Sequence, residues 1–406
     1  MAVNLPALGS LPPVSGVRVG TAGAGIKQRE RDDVAVFLLA PGTVAGGVFT
    51  RSAFRAAPVQ IASANLATGG VRALVINSGN ANAATGAAGL ADAQAVCRTL
   101  ADATGIDQAA VLPFSTGVIG ERLPVDRVQK AVELAADRAA EDGWPAAASA
   151  IMTTDTGPKA VSRQVPVQGC PVTINGIAKG AGMIRPDMAT MLAFVCCDAS
   201  VTAECLEGLT REVADRSFNR ISIDGDTSTN DSFVVCASGM AGNALITSAD
   251  DPGYQDLREG LSAVAVDLAT RIVRDGEGAT KFVTIRVRGG ADTEECLRVA
   301  YTIAESPLVK TAAFAGDPNW GRFCMAIGRS GVKDLDTGSV DLYLDDVCVA
   351  RGGLLAPDYT EADGARVMAQ DEFEIRVELG RGDAEEVVWT CDLSYEYVRI
   401  NAEYRT

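Results

Sequence analysis

The chain has 406 residues, 47% of them hydrophobic and 22% charged, which is the balance of a folded globular protein rather than a disordered one. Its formal charge of -16 argues against nucleic acid as a partner, because binding phosphates requires a surplus of Lys and Arg. It contains no histidine, so a Ser-His-Asp triad, a Cys-His pair and a His-ligated metal are all excluded. The first strong strand signal is VAVFLLA, Val34 to Ala40, closed by Pro41-Gly42. A second buried strand opens the segment Val71 to Gly86 and ends in a loop holding Asn77, Asn80 and Asn82, which can cap the following helix and shape its turn. A short apolar strand then delivers Ser115-Thr116-Gly117, and the turn is followed by a helix from Pro124 to Ala140.

IMTTDTGPK, Ile151 to Lys159, reads as an N-cap cluster, with a polar site wall as the competing role. From Lys179 to Ala199 a glycine turn passes through Pro186 into the apolar run Met191 to Cys196, read as a buried strand. The loop bearing Asp224, Asp226, Thr227, Thr229, Asn230 and Asp231 lacks the spacing of an EF-hand and is expected to be hydrogen-bonded near a polar ligand rather than to hold a metal. A long amphipathic helix runs from about Tyr254 to Val273 and turns through Asp275-Gly276-Glu277-Gly278 into the half-buried strand FVTIRV. Glu277 is a candidate site residue there, the competing role being a solvent-facing turn glutamate. Ala304 to Gly328 pairs a helix with a Gly-Asp-Pro-Asn-Trp-Gly loop, and the last hundred residues are strand-rich. The ten scattered cysteines are expected to be reduced and mostly buried, with Cys196 and Cys197 on opposite faces of one strand. The N-terminal residues carry no signal-peptide pattern and no apolar run reaches the ~18 residues of a membrane span, so the expected location is the cytoplasm.

Without histidine, a covalent mechanism must draw its base from a Lys, a carboxylate or an amino terminus. A threonine whose own α-amine serves as base fits that restriction best. KGAGMIRPDMATML, beginning at Lys179, resembles the cleavage-site segment of the ornithine acetyltransferase (bifunctional glutamate N-acetyltransferase) family. The same family pattern is met in chain order by NSGNANA, STGVIGE, MTTDT-x-PK, SFNRISIDGDTSTNDS, RDGEGATKF, KTAAFAGDPNWGR and the terminal DLSYEYVRINAEY.

The resemblance implies an α+β fold, an Ntn-hydrolase-like αββα sandwich. It implies autoproteolysis between Ala189 and Thr190 into an α chain, 1–189, and a β chain, 190–406, that form one compact unit and assemble as an α2β2 heterotetramer. The implied activity is acetyl transfer from N2-acetylornithine to glutamate in arginine biosynthesis, through an acetyl-Thr190 intermediate. Thr190 would be the nucleophile, Thr116 and the Gly117 N–H the oxyanion hole, and Thr156, Lys179, Thr190, Glu277, Asn401 and Thr406 the substrate contacts. No metal or cofactor is implied; whether acetyl-CoA is a second acetyl donor is left open. Gly157 and Asp187 depart from the family's usual residues without removing a chemical part. The competing enzyme reading is an N-terminal-nucleophile amidase or aminopeptidase, and the competing non-enzyme reading an uncleaved binding protein.

Overall fold

The structure, a computed structural model, describes residues 2–27, 31–185 and 191–403. In chain order the strands of its first half are β1 (Val17–Ala22), β2 (Val34–Leu39), β3 (Val44–Phe49), β4 (Ala73–Asn80), β5 (Val111–Val118), β6 (Lys159–Val167), β7 (Cys170–Lys179) and β8 (Leu192–Cys197). Those of the second half are β9 (Ile221–Ser222), β10 (Ser232–Ala237), β11 (Phe282–Gly290), β12 (Asp341–Leu344), β13 (Val347–Arg351), β14 (Leu354–Leu355), β15 (Glu372–Glu378) and β16 (Ala384–Cys391). The helices are α1 (Ala57–Thr68), α2 (Gly86–Thr104), α3 (Val125–Asp137), α4 (Trp144–Ala150), α5 (Ala203–Arg216) and α6 (Tyr254–Arg274). They continue as α7 (Thr293–Ala304), α8 (Pro307–Ala315), α9 (Trp320–Gly328), α10 (Glu361–Met368) and α11 (Tyr395–Ala402).

The strands form three sheets, ordered β1-β2-β4-β5, β3-β10-β8-β7-β6 and β14-β13-β12-β15-β11-β16-β9. Side-chain alternation dictates how the first two stack. Phe37, Leu74, Ile76 and Phe114 of the first sheet share one core with Ile177, Leu192, Phe194, Val234 and Cys236 of the second. The opposite faces take helices. Val36 and Val75 pack with Val96 and Leu100 of α2 and Val128 and Val132 of α3. Ile174, Val195, Phe233 and Val235 pack with Leu206 and Leu209 of α5 and Val264 and Leu268 of α6. Helix, sheet, sheet, helix is the layer order, so the expected αββα sandwich is what the chain builds.

The apolar run after Thr190 is the central strand of this sandwich. All six residues of β8 are buried, between β10 on one side and β7 on the other, as an uninterrupted hydrophobic strand requires. Phe194 points between the sheets and meets Phe114 edge-on, with ring centroids 4.8 Å apart. Cys196 joins the inter-sheet core and Cys197 the helix-side core, on opposite faces as the period of two demands. All ten cysteines are free thiols.

The third sheet has a core of its own, in which Ile285, Val287, Ile375 and Val377 pack against α7, α8, α9 and α10. Its other face is charged. Arg286 pairs with Glu374 at 3.0 Å and with Glu385 at 2.6 Å, so FVTIRV is half-buried as its alternation predicts. Among the described residues no helix is long and apolar enough to cross a membrane.

Candidate active site

At the ends of β4 and β5 the chain makes an unusually tight approach. The strands run parallel with Ser78 opposite Thr116 and Gly79 opposite Gly117, and the register breaks at Gly79/Asn80. Gly117 has φ +133°, and a Cβ on it would collide with the Gly79 carbonyl carbon and the Asn80 nitrogen. Only glycine fits there.

The asparagines upstream brace this turn rather than cap the helix, since α2 starts with no side-chain cap bond. Asn77 Nδ2 donates to the Asn80 carbonyl at 2.9 Å, and Ser115 Oγ donates to Asn77 Oδ1 at 2.6 Å. From the loop before β10, Asn230 Nδ2 donates to the carbonyls of Ala81 and Ser115 at 2.6 and 2.8 Å. Thr116 and Gly117 are thereby held from two sides.

β7 brings Lys179 to the same place, its Nζ 3.2 Å from Thr116 Oγ1. Behind it lies an ionic network with no solvent contact. Lys159 Nζ bonds Asp155 Oδ1 at 2.7 Å and Asp275 Oδ2 at 2.6 Å, all three side chains being fully buried. Asp155 also accepts from the Gly180 N–H at 2.7 Å. Asp275 accepts from the Thr156 N–H at 2.9 Å and from the Thr156 hydroxyl.

Burial works against the Asp155 charge, but the Lys159 and Lys179 ammonium groups and the Gly180 N–H hold its carboxyl below the usual range. Burial likewise opposes the Lys159 charge, and the two aspartates outweigh it, so the ammonium is held above its ordinary range. Lys179 goes the other way: burial, reinforced by Lys159, pushes it down against the pull of Asp155, Asp231 and Glu277. The 151–159 segment is therefore a site wall, and the expectation of an N-cap cluster is corrected, since α4 precedes it and β6 follows it.

The turn after α6 supplies Glu277, which is 8% exposed and so is no solvent-facing glutamate. Its N–H donates to the Ala181 carbonyl at 2.7 Å, and Gly182 has no room for a Cβ against the Glu277 carboxylate. Asn401 of α11 donates through Nδ2 to Glu277 Oε2 at 2.8 Å. α11 buries none of its residues and is held from its polar side, where Tyr397 meets Asp224 Oδ2 at 3.3 Å. Asp224 in turn accepts from the Ile184 N–H at 2.9 Å. The polar loop 224–231 is thus tied to the site. Among the described residues no group of three or more Cys, Asp or Glu side chains is placed to hold a metal ion.

These groups face one cavity of about 280 Å³, just under the ~300 Å³ at which drug-sized sites begin. Thr116, Gly117, Lys179, Glu277 and Asn401 line it, as do Thr153, Thr154, Ser228, Asn230 and Asp231. Thr156 is absent from that lining, its hydroxyl being turned to Asp275 behind the wall. Ile184 and Met191, on either side of the 186–190 segment, both line the cavity. Ala189, Thr190 and Thr406 lie outside the described residues. The sequence does not mark Asp155, Lys159 and Asp275 as a network. The four-residue spacing of Asp155 and Lys159 was its one visible sign, and Asp275 joins only through the fold.

The ArgJ family model matches residues 18–406. The chain belongs to the ArgJ family. Two curated relatives named "Arginine biosynthesis bifunctional protein ArgJ", from Pseudomonas fluorescens (strain Pf0-1) and Pseudomonas syringae pv. tomato (strain ATCC BAA-871 / DC3000), are each 53% identical over 406 residues, covering 100% of both chains. The crystal structure of ArgJ from Bacillus halodurans is 38% identical with a TM-score of 0.50, covering 52% of this chain and 98% of that one. An ornithine acetyltransferase of Mycobacterium tuberculosis solved with ornithine is 37% identical, covering 43% of this chain and 94% of that one at a TM-score of 0.39. The ArgJ assignment spans every residue that lines the cavity, from Thr116 of β5 to Asn401 of α11.

Proposed function

We propose that this chain transfers an acetyl group from N2-acetylornithine to glutamate, in arginine biosynthesis, by way of an acetyl ester on Thr190. One observation carries the reading: a histidine-free cavity, sized for an amino acid, is walled by the residues on both sides of the 186–190 segment. In maturation the Thr190 hydroxyl attacks the Ala189 carbonyl, and water cleaves the resulting ester, leaving an α chain of 1–189 and a β chain of 190–406. The freed α-amine, of reference pKa about 7.7–8.0, then takes the hydroxyl proton during acetyl transfer.

Thr116 and the Gly117 N–H stabilise the oxyanion; losing one such donor costs about 10²–10³ in kcat. Lys179 and Asn401 hold the substrate α-carboxylate, and Glu277 holds the amine. Thr156 contributes by orienting Asp275 behind the wall, and Thr406 is a further substrate contact in this reading. Support for these roles comes from the convergence of Thr116, Gly117, Lys179, Glu277 and Asn401 on one cavity. The working form is an α2β2 heterotetramer in the cytoplasm, with acetyl-CoA as a second donor of acetyl to glutamate.

The test is ornithine release from N2-acetylornithine with and without glutamate. Release that requires glutamate, with N-acetylglutamate appearing in equal amount, is expected. Release at the same rate without glutamate would overturn the transferase and favour the hydrolase. Acetyl-CoA with glutamate alone measures the second donor.

A further inference from the structure

An amine can serve as the base for Thr190 only after the chain has been cut, because until then it is an amide nitrogen. Self-cleavage therefore needs a different proton acceptor, and with no histidine in the chain that acceptor must be another group at the cavity. Asp231 is placed for this. It is 2% exposed, it lines the cavity, and its Oδ2 has no hydrogen-bond partner among the described residues. A buried carboxylate oxygen without a partner is costly to keep and calls for a role.

Its position is set by the sheet. β10 and β8 run parallel, Ser232 stands opposite Leu192, and the Ser232 N–H donates to the Met191 carbonyl at 2.8 Å. Asp231 thus flanks Met191, the residue bonded to Thr190. Its own carbonyl accepts from the Thr50 N–H at 3.0 Å, and Ser228 hydrogen-bonds its side chain.

We propose that Asp231 is the proton acceptor for self-cleavage and becomes the counter-ion of the new amino terminus afterwards. The proposal rests on the reading of Thr190 as nucleophile. In the step, the Thr190 O–H bond breaks and its proton goes to Asp231 Oδ2 as the oxygen bonds to the Ala189 carbonyl carbon. The Ala189–Thr190 C–N bond then breaks, and the nitrogen takes the proton back from Asp231. Water adds to the ester carbon and releases the threonine hydroxyl, leaving the Ala189 carboxylate and the Thr190 amine.

The surroundings suit such a shuttle. Burial pushes the Asp231 carboxyl well above the usual carboxylate range, against the opposing influence of Ser228 and Lys179. A group of that kind gives up a proton reluctantly and accepts one readily. Lys179, whose ammonium acts on Asp231, sits at Thr116 for the oxyanion site, and Glu277, the other carboxyl in the described lining, is bonded by the Asn401 amide.

The test follows conversion of the full-length chain to two fragments on denaturing gels for wild type, Thr190→Ala, Asp231→Asn and Asp231→Ala, with folding followed by circular dichroism. Wild type is expected to cut and Thr190→Ala to stay whole. Asp231→Asn should fold and cut about 100-fold or more slowly, the lower bound of a general base. Added formate should accelerate Asp231→Ala by occupying the vacated carboxylate position. Wild type that stays whole overturns the nucleophile reading itself. Wild type that cuts while Asp231→Asn cuts within about threefold of its rate overturns only the role of Asp231. An unfolded Asp231→Asn combined with no formate response in Asp231→Ala overturns it as well.

Discussion

Lys159 Nζ lies 2.6 Å from Asp275 Oδ2 with neither side chain reaching solvent, and the two residues come from opposite sides of the 186–190 segment. A buried pair of this kind contributes little net stability when intact, but removing one partner leaves an uncompensated charge. Lys159→Met strands two carboxylates at once. It should lower unfolding stability by about 3–5 kcal/mol, read from urea midpoints, while an exposed pair such as Arg298–Glu294 should shift by less than about 1 kcal/mol on Arg298→Ala.

The pH dependence of stability has two buried carboxyls pulling in opposite directions. Asp155 is held below its ordinary range, so its contribution is full above the unfolded carboxylate pKa and is lost as pH falls through the depressed folded value. Asp231 is held above its ordinary range, so its contribution is full below the unfolded pKa and is lost as pH rises through the folded value. Asp231→Asn should therefore flatten the decline in melting temperature from acid toward neutral pH and leave the loss in strong acid in place. An unchanged profile from acid to neutral pH in Asp231→Asn would contradict the raised carboxyl.

Gly182→Ala offers a narrow probe of Glu277. The added Cβ points at the Glu277 carboxylate, and Gly182 has no left-handed backbone requirement. The expected result is a rise in KM for both amino-acid substrates with little loss of fold. A loss of kcat at unchanged KM would place Glu277 outside substrate binding.

Asn401→Ala removes the amide that meets Glu277 at 2.8 Å. Hydrogen bonds to charged groups contribute about 1.5–3 kcal/mol, so KM should rise roughly 10- to 100-fold. The melting temperature should scarcely move, because α11 buries no residue.

Gly117→Ala tests the end of β5 that carries the proposed oxyanion site. Its φ of +133° is a region that side chains avoid, and the Cβ has no space against Gly79. Strain of that type costs about 1–3 kcal/mol, so the variant should melt earlier and lose activity together. Wild-type behaviour in both would show that the backbone relaxes freely here.

Much of this architecture is legible before folding. The uninterrupted apolar run Met191 to Cys196 reads as a buried strand because nothing polar breaks it, and about Tyr254 to Val273 reads as a helix from its spacing; they fold as β8 and α6. Thr116-Gly117 stands out as a small-residue break after an apolar run, although the structure keeps it within β5 rather than in a turn beyond it. Other features escape because they arise from long-range contacts. Asp275 looks like any acidic residue at a helix end, and only the return of β6 beside α6 surrounds it with Lys159 and Thr156. Glu277 looks exposed in a glycine turn until α11, more than a hundred residues later, covers it. Asp231 looks like one more polar loop residue, and its isolation is visible only once β10 lies beside β8.

The antiparallel pairing of β7 with β8, from Ile174 opposite Cys197 to Lys179 opposite Leu192, spans the interval that holds the proposed scission point. In the proposed cleaved form that ladder would be an intermolecular one, each product ending at a strand whose missing neighbour is the other product. Neither piece supplied alone would have its sheet closed, and each would expose an unpaired apolar edge of the kind that recruits foreign strands. On the proposed maturation, continuity of the polypeptide would be an assembly device, needed to bring the two strands into register and dispensable afterwards.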